Sequence, residues 1–341
     1  MNSTERIQAT LTGTPVDRRP FFPVLSLYGA RLINCPLRQY YSDAVAYAKG
    51  QAAARELFEP DALCAPFAYG LIGEAFGSSL HYFADMPPNV RRPAISSLKQ
   101  WESLAFPDPD THPNFLFIWD AIARMKAEHG GEIPIVLPTP GPTDLPVLIM
   151  GLESWLETVL FDPDEARRVM EKITPFYIRM VNRAFESGAA LAAITHAFIS
   201  PAIVTRDIVT SFSLPLLAEA LAQLHGPVML HHIGAPLLAH LDLLTGLPSV
   251  VGFIMDQRDD LAKARTIVGS EATLFSGVNA PGLPEMSATE VENICRGMLE
   301  NQRDEMRFML GNTGPDVPWD TPPENIHAMR KATEAFGGTG L

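Results

Sequence analysis

The chain has 341 residues, a formal net charge of −13 and 47% hydrophobic residues, enough to bury one large core of the kind common in single-domain barrels. That acidic balance, with no basic run beyond Arg18-Arg19 and Arg91-Arg92, argues against nonspecific nucleic-acid binding, which needs clustered Lys and Arg to neutralise phosphates. No apolar run reaches the roughly 18 residues of a membrane span, and Met1-Asn2-Ser3-Thr4-Glu5-Arg6 lacks the apolar core of a signal peptide. The expectation is a cytoplasmic protein that binds neither nucleic acid nor membrane.

In chain order, residues 1–20 carry a helix-like segment ending at Asp17-Arg18-Arg19-Pro20, an N-terminal helical extension. Apolar, often β-branched runs then predict strands at 21–26, 61–65, 134–138, 191–195, 228–231, 250–255, 273–276 and 308–311. Helical spacing fills most of the intervals, at 43–57, 163–187, 206–224, 259–268, 288–301 and 323–336. Ser42 and Asp162 are the expected caps of the first two, with Gly188 stopping the second. Thr321-Pro322-Pro323-Glu324 has the cap, proline and acidic first turn of a helix start. Residues 66–133 are too long for one crossover and are rich in proline, including Pro87-Pro88, so they read as an elaborated loop over one barrel mouth. Cys35, Cys64 and Cys295 are odd in number, far apart and without a CxxC pair, which marks them as small core residues and argues against a disulfide framework and a thiolate metal knuckle.

Eight strands alternating with helices predict an α/β fold, a (β/α)8 TIM barrel over residues 1–341 with the N-terminal extension and elaborated loop as additions to a single domain. A doubly wound sheet is the competitor, but no GxGxxG follows the first strand and no GxxxxGK[ST] occurs. In a barrel, functional groups gather where the strands end at the C-terminal face. The strongest such end is Pro227-Val228-Met229-Leu230-His231-His232-Ile233-Gly234, a buried run delivering two imidazoles to a loop. Other ends bring Tyr28, Phe67, Tyr69, His196, Asp256 and the segment from Asn312 to Asp316, while His129, His225, His240 and His327 fall on helices and read as solvated or helix-end residues.

The chain resembles the uroporphyrinogen decarboxylase superfamily, and within it the branch of corrinoid-dependent methyltransferases. The resemblance rests on Arg6-Ile7…Pro15-Val16-Asp17-Arg18-Arg19-Pro20, Phe58-Glu59-Pro60-Asp61-Ala62, Glu74-Ala75-Phe76-Gly77, Gly141-Pro142-Thr143, Phe161-Asp162-Pro163 and Ile199-Ser200-Pro201. It continues through Leu230-His231-His232-Ile233-Gly234 to Asp320-Thr321-Pro322-Pro323-Glu324-Asn325-Ile326, nearly the whole length. It implies the same barrel. Zinc-bearing members that methylate thiols have Leu-His-x-Cys-Gly at the fifth strand and Gly-Cys before the last helix. Here Ile233 and Pro315 stand at the two cysteine positions, and neither side chain binds zinc. The arginine-rich N-terminal signature of the decarboxylases is replaced by Leu25-Ser26-Leu27-Tyr28-Gly29-Ala30, with Arg31 alone remaining.

The resemblance therefore implies an enzyme that moves a methyl group between an O- or N-methylated small molecule, such as a methoxylated aromatic, and the cobalt of cobalamin carried by a partner corrinoid protein. His231, His232 and Asp256 are the candidate catalytic groups, and Tyr28, Phe67, Tyr69, Phe198 and Met255 the candidate substrate walls. A metal, with zinc the one such ligands suit, would be held by His231, His196 and Glu74. The alternatives are a cofactor-free decarboxylase of a small acid and a non-catalytic partner-binding subunit.

Overall fold

The computed structural model describes residues 1–231 and 234–338. All eight expected strands are present: β1 (Phe21–Phe22), β2 (Leu63–Cys64), β5 (Ile135–Pro140), β6 (Leu191–Thr195), β7 (Val228–His231), β8 (Val250–Ile254), β9 (Thr273–Asn279) and β10 (Phe308–Thr313). They form one parallel sheet in the order β1-β10-β9-β8-β7-β6-β5-β2, so the first and last strands of the chain pair with each other, Phe21 opposite Leu310. The remaining seam, between β1 and β2, is closed differently. The Asp61 backbone N–H donates to the Phe21 carbonyl at 2.7 Å, and the Phe21 N–H donates to the Asp61 carboxylate at 2.8 Å. The result is a (β/α)8 barrel, as the strand count predicted.

Alternation along each strand sorts the core into two layers. Leu191 and Ala193 of β6, Met229 of β7, Ile254, Phe275 and Met309 pack inside the barrel. Their neighbours Ala192, Ile194, Leu230, Phe253, Leu274 and Leu310 face the surrounding helices. Two glycines meet where β9 passes β10: Gly277 pairs with Gly311, and a Cβ on Gly277 would overlap the Gly311 carbonyl oxygen.

The N-terminal helix Ser3–Thr12 covers the N-terminal end of the barrel, where Ile7 and Leu11 join the inner layer. It is tied down by charge. Asp61, fully buried, accepts from Arg6 Nη1 at 2.6 Å and from Arg18 Nη1 and Nη2 at 2.5 and 3.0 Å, while Arg6 also holds Asp17. Arg6, Asp17, Arg18 and Asp61, which carried much of the family resemblance, are thus a structural latch far from the barrel mouth.

The helix Pro163–Ser187 runs as predicted, capped by Asp162 and ended by left-handed Gly188. The cap of the helix Ala44–Phe58 is Asp43 and not Ser42: the Asp43 carboxylate accepts from the Val45 and Ala46 N–H groups, while the Ser42 hydroxyl turns back to the Arg38 carbonyl. The helix Pro323–Phe336 begins without a side-chain cap. Residues 66–133 are more regular than a loop. They hold the helix Tyr69–Ala75, an antiparallel hairpin of β3 (Ser79–His81) and β4 (Asn89–Arg92), and the helix Pro113–His129. That last helix is the ordinary crossover between β2 and β5, so only the hairpin region is elaboration. His240, expected to be solvated or at a helix end, is buried, with its ring Nδ1 3.0 Å from the Ile199 carbonyl. No described helix is long and apolar enough to cross a membrane.

Candidate active site at the barrel mouth

His231 follows Met229 by two residues on β7, and so points into the barrel at its C-terminal end. It borders a small void shared with Phe22, Phe67, Thr195, Asn312 and Gly314. Its Nε2 lies 3.1 Å from the Gly314 carbonyl oxygen. A carbonyl only accepts, so Nε2 carries the hydrogen and donates it. Above this void, sharing Phe67 with it, opens a cavity of about 480 Å³. Phe67 and Tyr69 stack in its wall with ring centroids 4.5 Å apart, and the Tyr69 hydroxyl is fixed 2.8 Å from Thr195 Oγ1. Phe83, Met86 and Pro88 enter from the hairpin, and Pro315 and Trp319 from the segment after β10.

Phe67 and Tyr69 line this cavity, whereas Tyr28, Phe198 and Met255 are not among the residues that line it. The Tyr28 hydroxyl donates to the Thr321 carbonyl at 2.8 Å, and Arg31 donates to Tyr28 and to the Trp319 and Thr321 carbonyls. Tyr28 thus anchors the segment that presents Trp319. Phe198 is buried against Trp155, and Met255 lies in the layer between strands and helices, because it is out of step with inward-facing Ile254. Asp256 is a loop organiser: its carboxylate accepts from the Arg258 backbone N–H and from the guanidinium at 2.7 Å, and Arg258 reaches on to the Gly234 carbonyl. His232 lies outside the described residues.

The proposed metal ligands do not assemble. Among the described residues no three His, Cys, Asp or Glu side chains form a group able to hold a metal ion. Glu74 sits on the helix Tyr69–Ala75 and accepts from Asn114 Nδ2 at 3.0 Å. His196 is fully buried, with Nε2 2.5 Å from Thr143 Oγ1 and 3.7 Å from Asp144 Oδ1. The donor set therefore does not fit zinc as drawn from the sequence. Cys35, Cys64 and Cys295 are buried and free.

Behind the wall, Asp144 takes the Ala197 and Phe198 N–H groups at 2.5 and 3.2 Å, yet burial pushes its carboxyl up to about 7. Burial pushes the His196 imidazole down to about 3. The two act in opposite directions. His196 favours folding as the neutral ring, a contribution lost as pH falls from the unfolded value of about 6.5 toward the folded one. Asp144 favours folding as the neutral acid, a contribution lost as pH rises through about 7. The expected result by proton NMR is an imidazole at position 196 with no titration between about pH 5 and pH 8. A midpoint near the ordinary histidine value would show the ring to be solvated.

Sequence reasoning missed Phe83, Met86 and Trp319. The first two lie in a hairpin that strand-end logic does not reach, and Trp319 comes several residues after β10.

A uroporphyrinogen decarboxylase from Aromatoleum aromaticum is 22% identical over 274 residues, covering 76% of this chain and 73% of that protein. A methylated-thiol–coenzyme M methyltransferase from Methanosarcina mazei is 21% identical over 339 residues, covering 97% of this chain and 89% of that protein. Among solved structures, a methyltransferase from Methanosarcina mazei superposes with a TM-score of 0.87 at 21% identity, over 98% of this chain and 99% of that one, a likeness of fold. Residues 2–336 match the model of the uroporphyrinogen decarboxylase (URO-D) family, and the chain belongs to that family.

Proposed function

We propose that this chain is a methyltransferase that passes a methyl group between an O- or N-methylated small molecule and the cobalt of a corrinoid carried by a separate protein. The observation that carries the reading is the cavity at the barrel mouth: about 480 Å³, walled by Phe67, Tyr69, Phe83 and Trp319, and without an arginine, lysine or histidine among the described residues lining it. A decarboxylase acting on an acid needs cations to grip the carboxylate; a methyl donor needs an apolar wall and an open face for the cobalt. The likeness to methyltransferases of Methanosarcina mazei supports the same side of the choice. A thiol substrate is disfavoured by Ile233 and Pro315.

The partner's corrinoid would supply the cobalt nucleophile, and this chain would hold the donor in the cavity lined by Phe67, Tyr69, Phe83 and Trp319. The chain's own contribution is positioning: stacked rings hold the donor, and Thr195 holds Tyr69. The test is absorbance at cobalt. With cob(I)alamin or a corrinoid protein and a panel of methylated donors, the expected result is donor-dependent loss of the cobalt(I) band as methylcobalt(III) forms. Release of carbon dioxide from a small acid without any corrinoid would replace this reading with decarboxylation.

A further inference from the structure

We propose that the mouth cavity takes a methylated ammonium cation as the methyl donor, an assignment that rests on the methyl-transfer reading above. Four aromatic side chains, Phe67, Tyr69, Phe83 and Trp319, border one cavity. Aromatic faces carry negative potential and attract cations, and cages of such rings recognise quaternary ammonium groups. Among the described residues, the charged ones bordering the same cavity are Asp85, Asp316 and Asp320. Asp316 is buried, accepts the Leu27 N–H at 2.7 Å, and burial raises its carboxyl well above the usual range. The negative field at the rim therefore comes from exposed Asp85 and Asp320. Arg31 is directed at the Tyr28 hydroxyl and the Trp319 and Thr321 carbonyls.

The chemistry of the leaving group agrees. When cobalt(I) attacks a methyl of a quaternary ammonium, the new bond is cobalt–carbon and the broken bond is carbon–nitrogen. The pair from the broken bond stays on nitrogen, which leaves as a neutral tertiary amine, while cobalt(I) becomes methylcobalt(III). No proton and no Lewis acid is consumed. A methyl ether instead releases an alkoxide or phenolate, which an acid-rimmed cavity disfavours and which needs a proton donor. The only described imidazole bordering the void beneath, that of His231, already commits its Nε2 hydrogen to the Gly314 carbonyl.

The discriminating experiment is calorimetric binding of choline against 3,3-dimethyl-1-butanol, its neutral isostere with carbon in place of nitrogen, and against 3-methoxybenzoate. Choline is expected to bind at least ~10-fold tighter than the isostere, and methoxybenzoate not to bind. Trp319→Leu should bring choline close to the isostere, while Asp85→Asn with Asp320→Asn should weaken choline and flatten its salt dependence. Equal binding of choline and the isostere, or tighter binding of methoxybenzoate, overturns the assignment. Cobalt assays separate the two levels of the argument. Methylation of cob(I)alamin by a methyl ether but by no quaternary ammonium overturns the donor assignment and leaves methyl transfer standing; methylation by neither removes both.

Discussion

Replacing Asp61 by alanine is expected to cost about 3–5 kcal/mol of folding stability, the range for breaking a buried ion pair from one side. The carboxylate is fully buried between the guanidiniums of Arg6 and Arg18 and also takes the Phe21 N–H and the Ser3 hydroxyl. Its loss leaves two cations largely desolvated and reopens the β1–β2 seam. Urea unfolding of the two proteins measures this, and a change below about 1 kcal/mol would mean the latch is only a surface contact. The same latch gives an acid limit. Arg6 and the N-terminal ammonium hold the Asp17 carboxyl below the usual carboxylate range. Its contribution is therefore present above the unfolded value of about 3.9 and is lost as pH falls below it.

Two glycine-to-alanine changes should move stability in opposite directions. At Gly277 a methyl group meets the Gly311 backbone inside the sheet, where neither strand can retreat without breaking ladder bonds. Gly277→Ala should cost about 3 kcal/mol, the upper end of overpacking penalties. At Gly297, within the helix Ala288–Asn301, nothing lies within 4 Å of the added carbon. Gly297→Ala should gain about 0.5–1 kcal/mol, because alanine has less freedom to lose in a helix. Chemical denaturation of both, with m-values checked against the parent, tests the pair. A neutral or stabilising Gly277→Ala would contradict the close approach of β9 and β10.

The barrel was legible because its strands are short apolar runs at regular spacing, and β6 and β7 fall at the predicted residues. The helix Pro113–His129 was not, since Pro107, Pro109 and Pro113 gave its approach the look of a loop. In the site, His231, Phe67 and Tyr69 followed from strand ends. Met255 shows the limit of that logic: one residue beyond inward-facing Ile254, alternation turns it outward, and register at a strand end is not written in composition. Asp256 and His196 do lie at strand ends as residue type and position suggested, but what engages them, Arg258 and Thr143, comes from spacing and tertiary packing that residue type alone does not disclose.

The way the barrel closes also sets an order of assembly. The Asp61 latch joins residues 6, 18, 21 and 61, so it forms from the first fifth of the chain, soon after that segment emerges during synthesis. The pairing of Phe21 with Leu310 spans nearly the whole chain and waits for the last strand. Until then β1 presents an unpaired parallel edge, the kind of surface that recruits foreign strands. Loop closure over such a separation is slow compared with local contacts. The nascent protein is therefore most exposed to misassembly in the interval between its first ion cluster and its final strand, and chaperone engagement is expected to concentrate there.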